Sequence, residues 1–180
     1  MFLPGSVVLS GDGLVLREWT AADLDIMVAL FDEESIDVWT PLEAPFGKDA
    51  AQRYLDRAQR GRDQGVCLQL AITRSGQEPL GEVLLFETAE PGTAELAYAV
   101  GVAHRGQRLA ARAVRLTMEF ARETCGVSSF VLKISPANPA SQSVAVANGF
   151  LPTDVPLQVR QRKNRRLEMA TWRHDQQSTG

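Results

Sequence analysis

Cysteine is scarce in this chain of 180 residues: Cys67 and Cys125 are the only two, and they stand far apart. Two distant thiols exclude a disulfide framework, a CxxC redox pair and a four-cysteine zinc site. Long apolar runs are missing as well, and none approaches the roughly 18 residues of a membrane-spanning helix. The opening Met1-Phe2-Leu3-Pro4-Gly5 lacks the basic and long apolar stretches of a secretory signal. Net charge is small, −3 from 19 basic and 22 acidic side chains, so a dedicated DNA-binding protein is not expected. With 44% hydrophobic residues the chain is not disordered either. No GxGxxG occurs, which removes the dinucleotide-binding reading. His104 and His174 belong to no ligand cluster, so no metal is expected. These absences leave a soluble, cytoplasmic protein without membrane or DNA partners. It is read as one domain over 1–175 with a flexible polar tail at 176–180. Lysine is scarce too: 16 of the 19 basic residues are arginine, and their placement carries information.

What is present reads as alternating strand and helix signals. An apolar arm, 6–10, precedes the turn Gly11-Asp12-Gly13, and 14–18 alternates as a strand. Thr20 and Asp23 resemble a capping box, and Leu24, Met27, Val28, Leu30 and Phe31 give the following helix its apolar face. A turn-rich loop containing Pro41, Pro45 and Gly47 leads to a second helix over about 49–61. Segments 66–73 and 79–86 form a hairpin about Ser75-Gly76-Gln77, and 94–102 is a further strand. The longest helical segment, 109–125, carries Leu109, Ala113, Leu116 and Phe120 on one stripe and stops at Gly126. A short buried strand follows at 130–134. Asn138-Pro139 then opens a last helix that Gly149 closes. Strands at 155–162 and 166–172 flank a turn at Lys163-Asn164. The order β-α-α-β-β-β-α-β-α-β-β predicts an α/β (α+β) fold, a mixed and mostly antiparallel sheet flanked by helices.

The start of the long helix is electrostatically unusual. Helices place acids in their first turn to complement the positive end of the macrodipole. Here Arg105, Arg108 and Arg112 crowd that end, and the first acid inside the helix is Glu119. Free backbone amides together with guanidinium groups suit a polyanion such as a pyrophosphate; a solvated basic surface is the alternative. Gly101 and Gly106-Gln107-Arg108 mimic the start of a P-loop. The lysine and the Ser/Thr that would hold β/γ-phosphates and Mg²⁺ are missing, so nucleotide hydrolysis is not expected.

The ordered set Arg105-Gly106-Gln107-Arg108-Leu109-Ala110, long helix, short strand, Asn138-Pro139-Ala140-Ser141 and Gly149-Phe150 resembles the GNAT N-acetyltransferase superfamily. The segments 14–18, 94–100 and 166–169 are similar to its RimJ/RimL-like branch. The resemblance covers most of the chain, about 14–172. It implies acetyl-CoA as cosubstrate and a primary amine as acceptor, at a protein N-terminus or on a small molecule. It implies that the backbone from Arg105 to Ala110 wraps the CoA pyrophosphate. It also implies that amides near Val100 and Val102, where strands splay, hold the pantetheine arm, and that Asn138 touches that arm. Asn138 reads equally as a helix N-cap. The family's first loop glycine is Arg108 here. The tyrosine many relatives carry four residues before Gly-Phe is Ala145, so Ser141 becomes the candidate acid for the leaving thiolate, as in RimL-like proteins. Trp39 and Phe46 lie where relatives build the acceptor pocket, with core packing as the competing account.

Acetyl transfer to an alkylammonium needs a base, most naturally a carboxylate. Glu95, on the strand leading to the CoA loop, is the first candidate and Glu82 the second; a surface carboxylate is the alternative for either. The basic run Arg160, Arg162, Lys163, Arg165 and Arg166 reads as a solvated hairpin or as a contact for RNA or an acidic substrate. Free strand edges are compatible with a homodimer. The contrasting reading is a catalytically silent CoA-binding or ribosome/RNA-associated module of the same fold.

Overall fold

The computed structural model describes residues 1, 3–42, 44–162 and 165–175; the expected turn at Lys163-Asn164 and the tail 176–180 lie outside them. The chain builds one mixed sheet. Strands β1 (Val8–Gly11) and β2 (Leu14–Glu18) form a hairpin whose two turn residues, Asp12 (φ 53°) and Gly13 (φ 69°), both adopt positive φ. That mirror-type turn matches the twist of the strands, and Asp-Gly is the pair that tolerates it. Strands β3 (Cys67–Thr73), β4 (Pro79–Glu87) and β5 (Thr93–Val100) add antiparallel neighbours in sequence. The helix α4 (Leu109–Cys125) then carries the chain to β6 (Ser129–Ile134), which pairs parallel to β5. Strand β9 (Arg165–Asp175) lies antiparallel to β6, and β7 (Leu151–Pro152) and β8 (Gln158–Arg162) pair with β9.

The helices divide between the two faces. Leu109, Ala113, Val114, Met118 and Ala121 of α4 are buried against Leu70, Ile72, Val83, Leu85 and Leu96 on one face. Burying each such aliphatic side chain contributes about 2 kcal/mol, so this face anchors the β5–α4–β6 crossover. Gly126 (φ 69°) ends α4 in the left-handed conformation. The opposite face packs α1 (Leu24–Phe31) and α3 (Lys48–Asp63) through Met27, Phe31, Phe46, Tyr54 and Leu55. The Phe31 ring meets Phe46 and Tyr54 edge-on at 5.7 and 6.3 Å. Before α1, Asp23 receives both guanidinium nitrogens of Arg17, at 2.7 and 2.8 Å, and the Thr20 amide at 2.8 Å. Burial opposes ionisation of Asp23, yet these bonds outweigh it and hold the carboxyl below its usual range.

Four elements differ from the expectation, the first being the two-residue strand β7, which the sequence did not suggest. A short helix, α2 (Glu34–Trp39), interrupts the loop after α1; only Ile36 is buried on it, so six residues carry no readable periodicity. Strand β8 begins at Gln158 rather than at 155, because Pro156 has no N–H to give a ladder. The arm before the first turn becomes the edge strand β1.

Candidate active site

Strand β5 opens away from β6 halfway along its length. Pairing runs from Thr93 opposite Ser129 to Leu96 opposite Leu132 and stops there, while Lys133 and Ile134 stay on β9. On its other side β5 remains paired with β4 through Val100, and the Gly101 amide donates to the Leu80 carbonyl at 3.0 Å. Ladder alternation therefore turns the amides and carbonyls of Tyr98 and Val100 toward the open edge. The Val100 carbonyl accepts a bond from Arg105 Nε at 3.2 Å. Beyond the strand, a tight turn at Val102–His104 leads into the loop before α4, and the Val102 side chain is exposed.

Gly106 (φ 75°) and Arg108 (φ 55°) both lie in the left-handed region, so an arginine holds the conformation that favours glycine. Arg108 caps α4 without a side-chain bond to it, and no acid occupies the first turn. The first amides of the helix, from Leu109 and Ala110 onward, have no intrahelical partner. Leu109 itself is buried, while Arg105, Gly106, Gln107 and Arg108 are exposed.

The arginines at this end are not equivalent. Arg105 is tied to the Val100 carbonyl and to Ser35 Oγ of α2, at 3.2 and 3.0 Å. Arg112 reaches back to the Asp12 carbonyl in the β1–β2 turn at 2.7 Å and to the Gln107 carbonyl at 3.2 Å. Gln107 Oε1 also accepts from Arg74. Among the described residues the Arg108 guanidinium alone of the three has no hydrogen-bond or ion-pair partner.

Helix α5 (Pro139–Ala147) faces the open edge. The Asn138 side chain accepts the Ser141 amide at 3.1 Å, so its capping role is realised. The Ser141 carbonyl accepts the Tyr98 hydroxyl at 3.1 Å, whereas the Ser141 hydroxyl, half-buried, makes no bond among the described residues. Ala145, at the position of the family tyrosine, is fully buried in the core beside α4.

The two carboxylates differ sharply. Glu82 on β4 is sealed in, 2% exposed, and accepts the Tyr54 hydroxyl at 2.8 Å and Gln69 Nε2 at 2.6 Å. Burial pushes its carboxyl up to about 7, against those bonds, and burial with the Glu82 charge pushes the Cys67 thiol up to about 12. Glu82 therefore presents almost no surface to an acceptor. Glu95 on β5 is half-exposed and pairs with Arg160 of β8 at 3.3 Å. Trp39, at the end of α2, keeps 37% of its surface exposed, but Phe46 keeps 1% and packs on Phe31 and Tyr54. Phe46, expected in an acceptor pocket, is thus core; the apolar collapse of α1 on α3 claims its ring. Sequence reasoning missed Tyr98, and it placed Arg160 in a basic run without identifying Glu95 as its partner. The strand parity of Tyr98 was readable; the position of Arg160 across from Glu95 was not. No group of three or more His, Cys, Asp or Glu able to hold a metal occurs among the described residues. Nor is any described helix long and apolar enough to cross a membrane.

A half-open strand pair with an acid-free, arginine-bearing helix start at its mouth defines an α/β protein whose exposed amides and guanidinium groups suit a phosphate-bearing ligand. The sequence comparison is more specific. The family description "Acetyltransferase (GNAT) domain" matches residues 13–151, and the chain belongs to that family. No curated protein matches it in sequence. Its fold is shared with RimL, a ribosomal L7/L12 alpha-N-protein acetyltransferase in complex with coenzyme A, at 17% identity and TM-score 0.81 over 94% of this chain and 98% of that one. RimJ of Mycobacterium smegmatis, in complex with CoA-disulfide, shares it at 15% identity and TM-score 0.81 over 94% and 86%. So does a spermidine N-acetyltransferase from Vibrio cholerae in complex with CoA and spermine, at 15% identity and TM-score 0.76 over 92% and 97%.

Proposed function

We propose that this protein is an acetyl-CoA-dependent N-acetyltransferase of the RimJ/RimL type, acting in the cytoplasm through one domain over 1–175. The observation that carries the reading is the left-handed Gly106 and Arg108 pair before an α4 whose first turn holds no acid. These residues fit the pyrophosphate: unpaired amides at the helix start and one unengaged guanidinium supply donors without a competing carboxylate. The free edge of β5 at Tyr98 and Val100 fits the amide-bearing arm, with Asn138 nearby on the cap of α5. Bound there, the cosubstrate supplies a thioester whose acetyl group is transferable to an amine.

The remaining steps fall to this chain. The acceptor nitrogen must shed protons, and Glu95, one residue before the strands part, is the carboxylate open to solvent there. Ser141 offers an unengaged hydroxyl on the opposite wall to protonate the departing thiolate. Trp39 contributes an exposed ring to the acceptor side. Holding acceptor and thioester together supplies much of the rate, so a strong base is not required. The neighbours named as ribosomal-protein and spermidine acetyltransferases support an amine acceptor and leave its class open. Thiol release from acetyl-CoA, assayed with N-terminal peptides, amino acids and polyamines, tests the reading. Acceptor-dependent release is expected. Stabilisation by CoA with no release for any acceptor would assign a silent CoA-binding module instead.

A further inference from the structure

The Glu95–Arg160 pair lies at the point where β5 and β6 separate, on the side of the sheet away from α4. Its single contact, at 3.3 Å, joins side chains that remain 25% and 39% exposed. Compared with the bidentate Arg17–Asp23 pair at 2.7 and 2.8 Å, it is long and half-hydrated, and such a pair costs little to open. Beside it, Val131 is opposite Glu95 and Lys133 lies two residues further on the same face of β6. Lys133 is half-buried, and its ammonium has no carboxylate partner among the described residues. It donates only to Thr171 Oγ1, at 2.7 Å. Glu95 thus pairs with one cation, Arg160, while a second, Lys133, lies further along the same face of the sheet without a carboxylate partner among the described residues.

From this arrangement, and resting on the transferase reading above, we infer that the acceptor is an amine carrying a carboxylate a few bonds away, recognised by Arg160. Its ammonium replaces Arg160 at Glu95, and its carboxylate takes up Arg160 and Lys133. The exchange leaves Glu95 paired with the ammonium and brings the new carboxylate to Arg160 and Lys133, which share it. A polyamine would bring a second positive charge against the same two cations, which disfavours it. The same chemistry is offered by a free amino acid and by a peptide with an acidic residue next to its N-terminus. The assay separates those two sources.

With acetyl-CoA present, kcat/KM is compared for β-alanine and its amide, for Ala-Asp-Ala-amide and Ala-Asn-Ala-amide, and for spermidine. Calorimetry with CoA bound reads acceptor affinity independently of turnover. At least a tenfold preference for the carboxylate member is expected in one matched pair, and which pair shows it identifies the source. Arg160→Gln should abolish the preference through KM, and Arg160→Lys should keep most of it. Equal use of the neutral or polycationic acceptors, or a preference that survives Arg160→Gln, overturns the inference. Absence of thiol release with every acceptor sinks the transferase reading; calorimetry then still decides whether a carboxylate-bearing amine is recognised.

Discussion

The Tyr98 hydroxyl donates to the Ser141 carbonyl at 3.1 Å, joining the free half of β5 to the first turn of α5 across the opening between β5 and β6. Strand parity puts Tyr98 with Leu96 and Val100 on the α4 side, where its ring packs against the core. Burial pushes its hydroxyl up to about 12, with the bond to Ser141 acting the other way, so the group is a proton donor throughout the physiological range. The bond spans two elements that no longer share a ladder, and it fixes their spacing.

Tyr98→Phe should therefore loosen the site more than the fold. Loss of one hydrogen bond costs about 1 kcal/mol, which for a chain of this length lowers Tm by roughly 2–4 °C. Hydrogen exchange at the start of α5 should rise, and kcat should fall with little change in the affinity for CoA. A variant with full kcat and unchanged exchange in α5 would show that the bond does not set the spacing.

Much of this architecture was readable because it is local. The Asp12-Gly13 turn, the apolar side of α4 and the Asn138-Pro139 cap each follow from residues within one or two turns of chain, although Leu116 and Phe120 of the expected stripe are only partly buried and Val114, Met118 and Ala121 take the core. The arginine excess at the start of α4 also pointed to an anion site. Which arginine is available did not follow, because Arg112 is engaged by the carbonyl of Asp12 and Arg105 by Ser35, contacts 100 and 70 residues away in sequence. The same limit hid the Glu95–Arg160 pair, 65 residues apart, and moved Phe46 from a presumed pocket wall into the core. Side-chain partners set by tertiary packing leave no periodic trace.

Arg108 sits at φ 55° and ψ 22°, where a side chain other than glycine costs about 1 kcal/mol. Arg108→Gly should leave the Tm unchanged or slightly higher, since relief of strain is partly offset by the flexibility of glycine in the unfolded chain. Affinity for CoA, measured by calorimetry, should nevertheless fall about tenfold, the effect of losing one charge-assisted bond to phosphate. Arg108→Val, β-branched at positive φ, should lower stability by a further 1 kcal/mol or about that. Undiminished CoA affinity in Arg108→Gly would remove the guanidinium from the phosphate site.

Ser141→Ala offers a clean separation of chemistry from stability. The hydroxyl makes no bond among the described residues, while the backbone amide and carbonyl of Ser141 carry the cap and the Tyr98 bond and are kept in the variant. Unfolding free energy should change by less than about 0.5 kcal/mol. A proton donor to the leaving thiolate contributes about 100-fold or more, so kcat should drop by that order while KM for acetyl-CoA holds. Retention of kcat would take Ser141 out of the chemistry.

Glu82 makes stability depend on pH in a direction opposite to that of the paired carboxylates. Its carboxyl is raised from 4.5 to about 7 in the folded protein, chiefly by burial. Between those values the native state holds a proton that the unfolded chain has released, so stability is full below about pH 4.5 and declines as pH rises through 7. The loss from this group is on the order of 3 kcal/mol. Asp23 works in reverse and at lower pH: its lowered carboxyl adds stability above the usual carboxylate range that is lost on acidification. Glu82→Gln removes the first effect alone. Its amide can still accept from Tyr54, and Gln69 can turn its own oxygen toward the new NH₂ group. Urea unfolding at pH 5 and pH 8 should show the wild type losing stability across the interval and the variant losing far less, with the variant gaining on the wild type at pH 8. Parallel profiles for the two proteins would mean that Glu82 is ionised in the folded state from pH 5 upward, held charged by Tyr54 and Gln69 despite its burial.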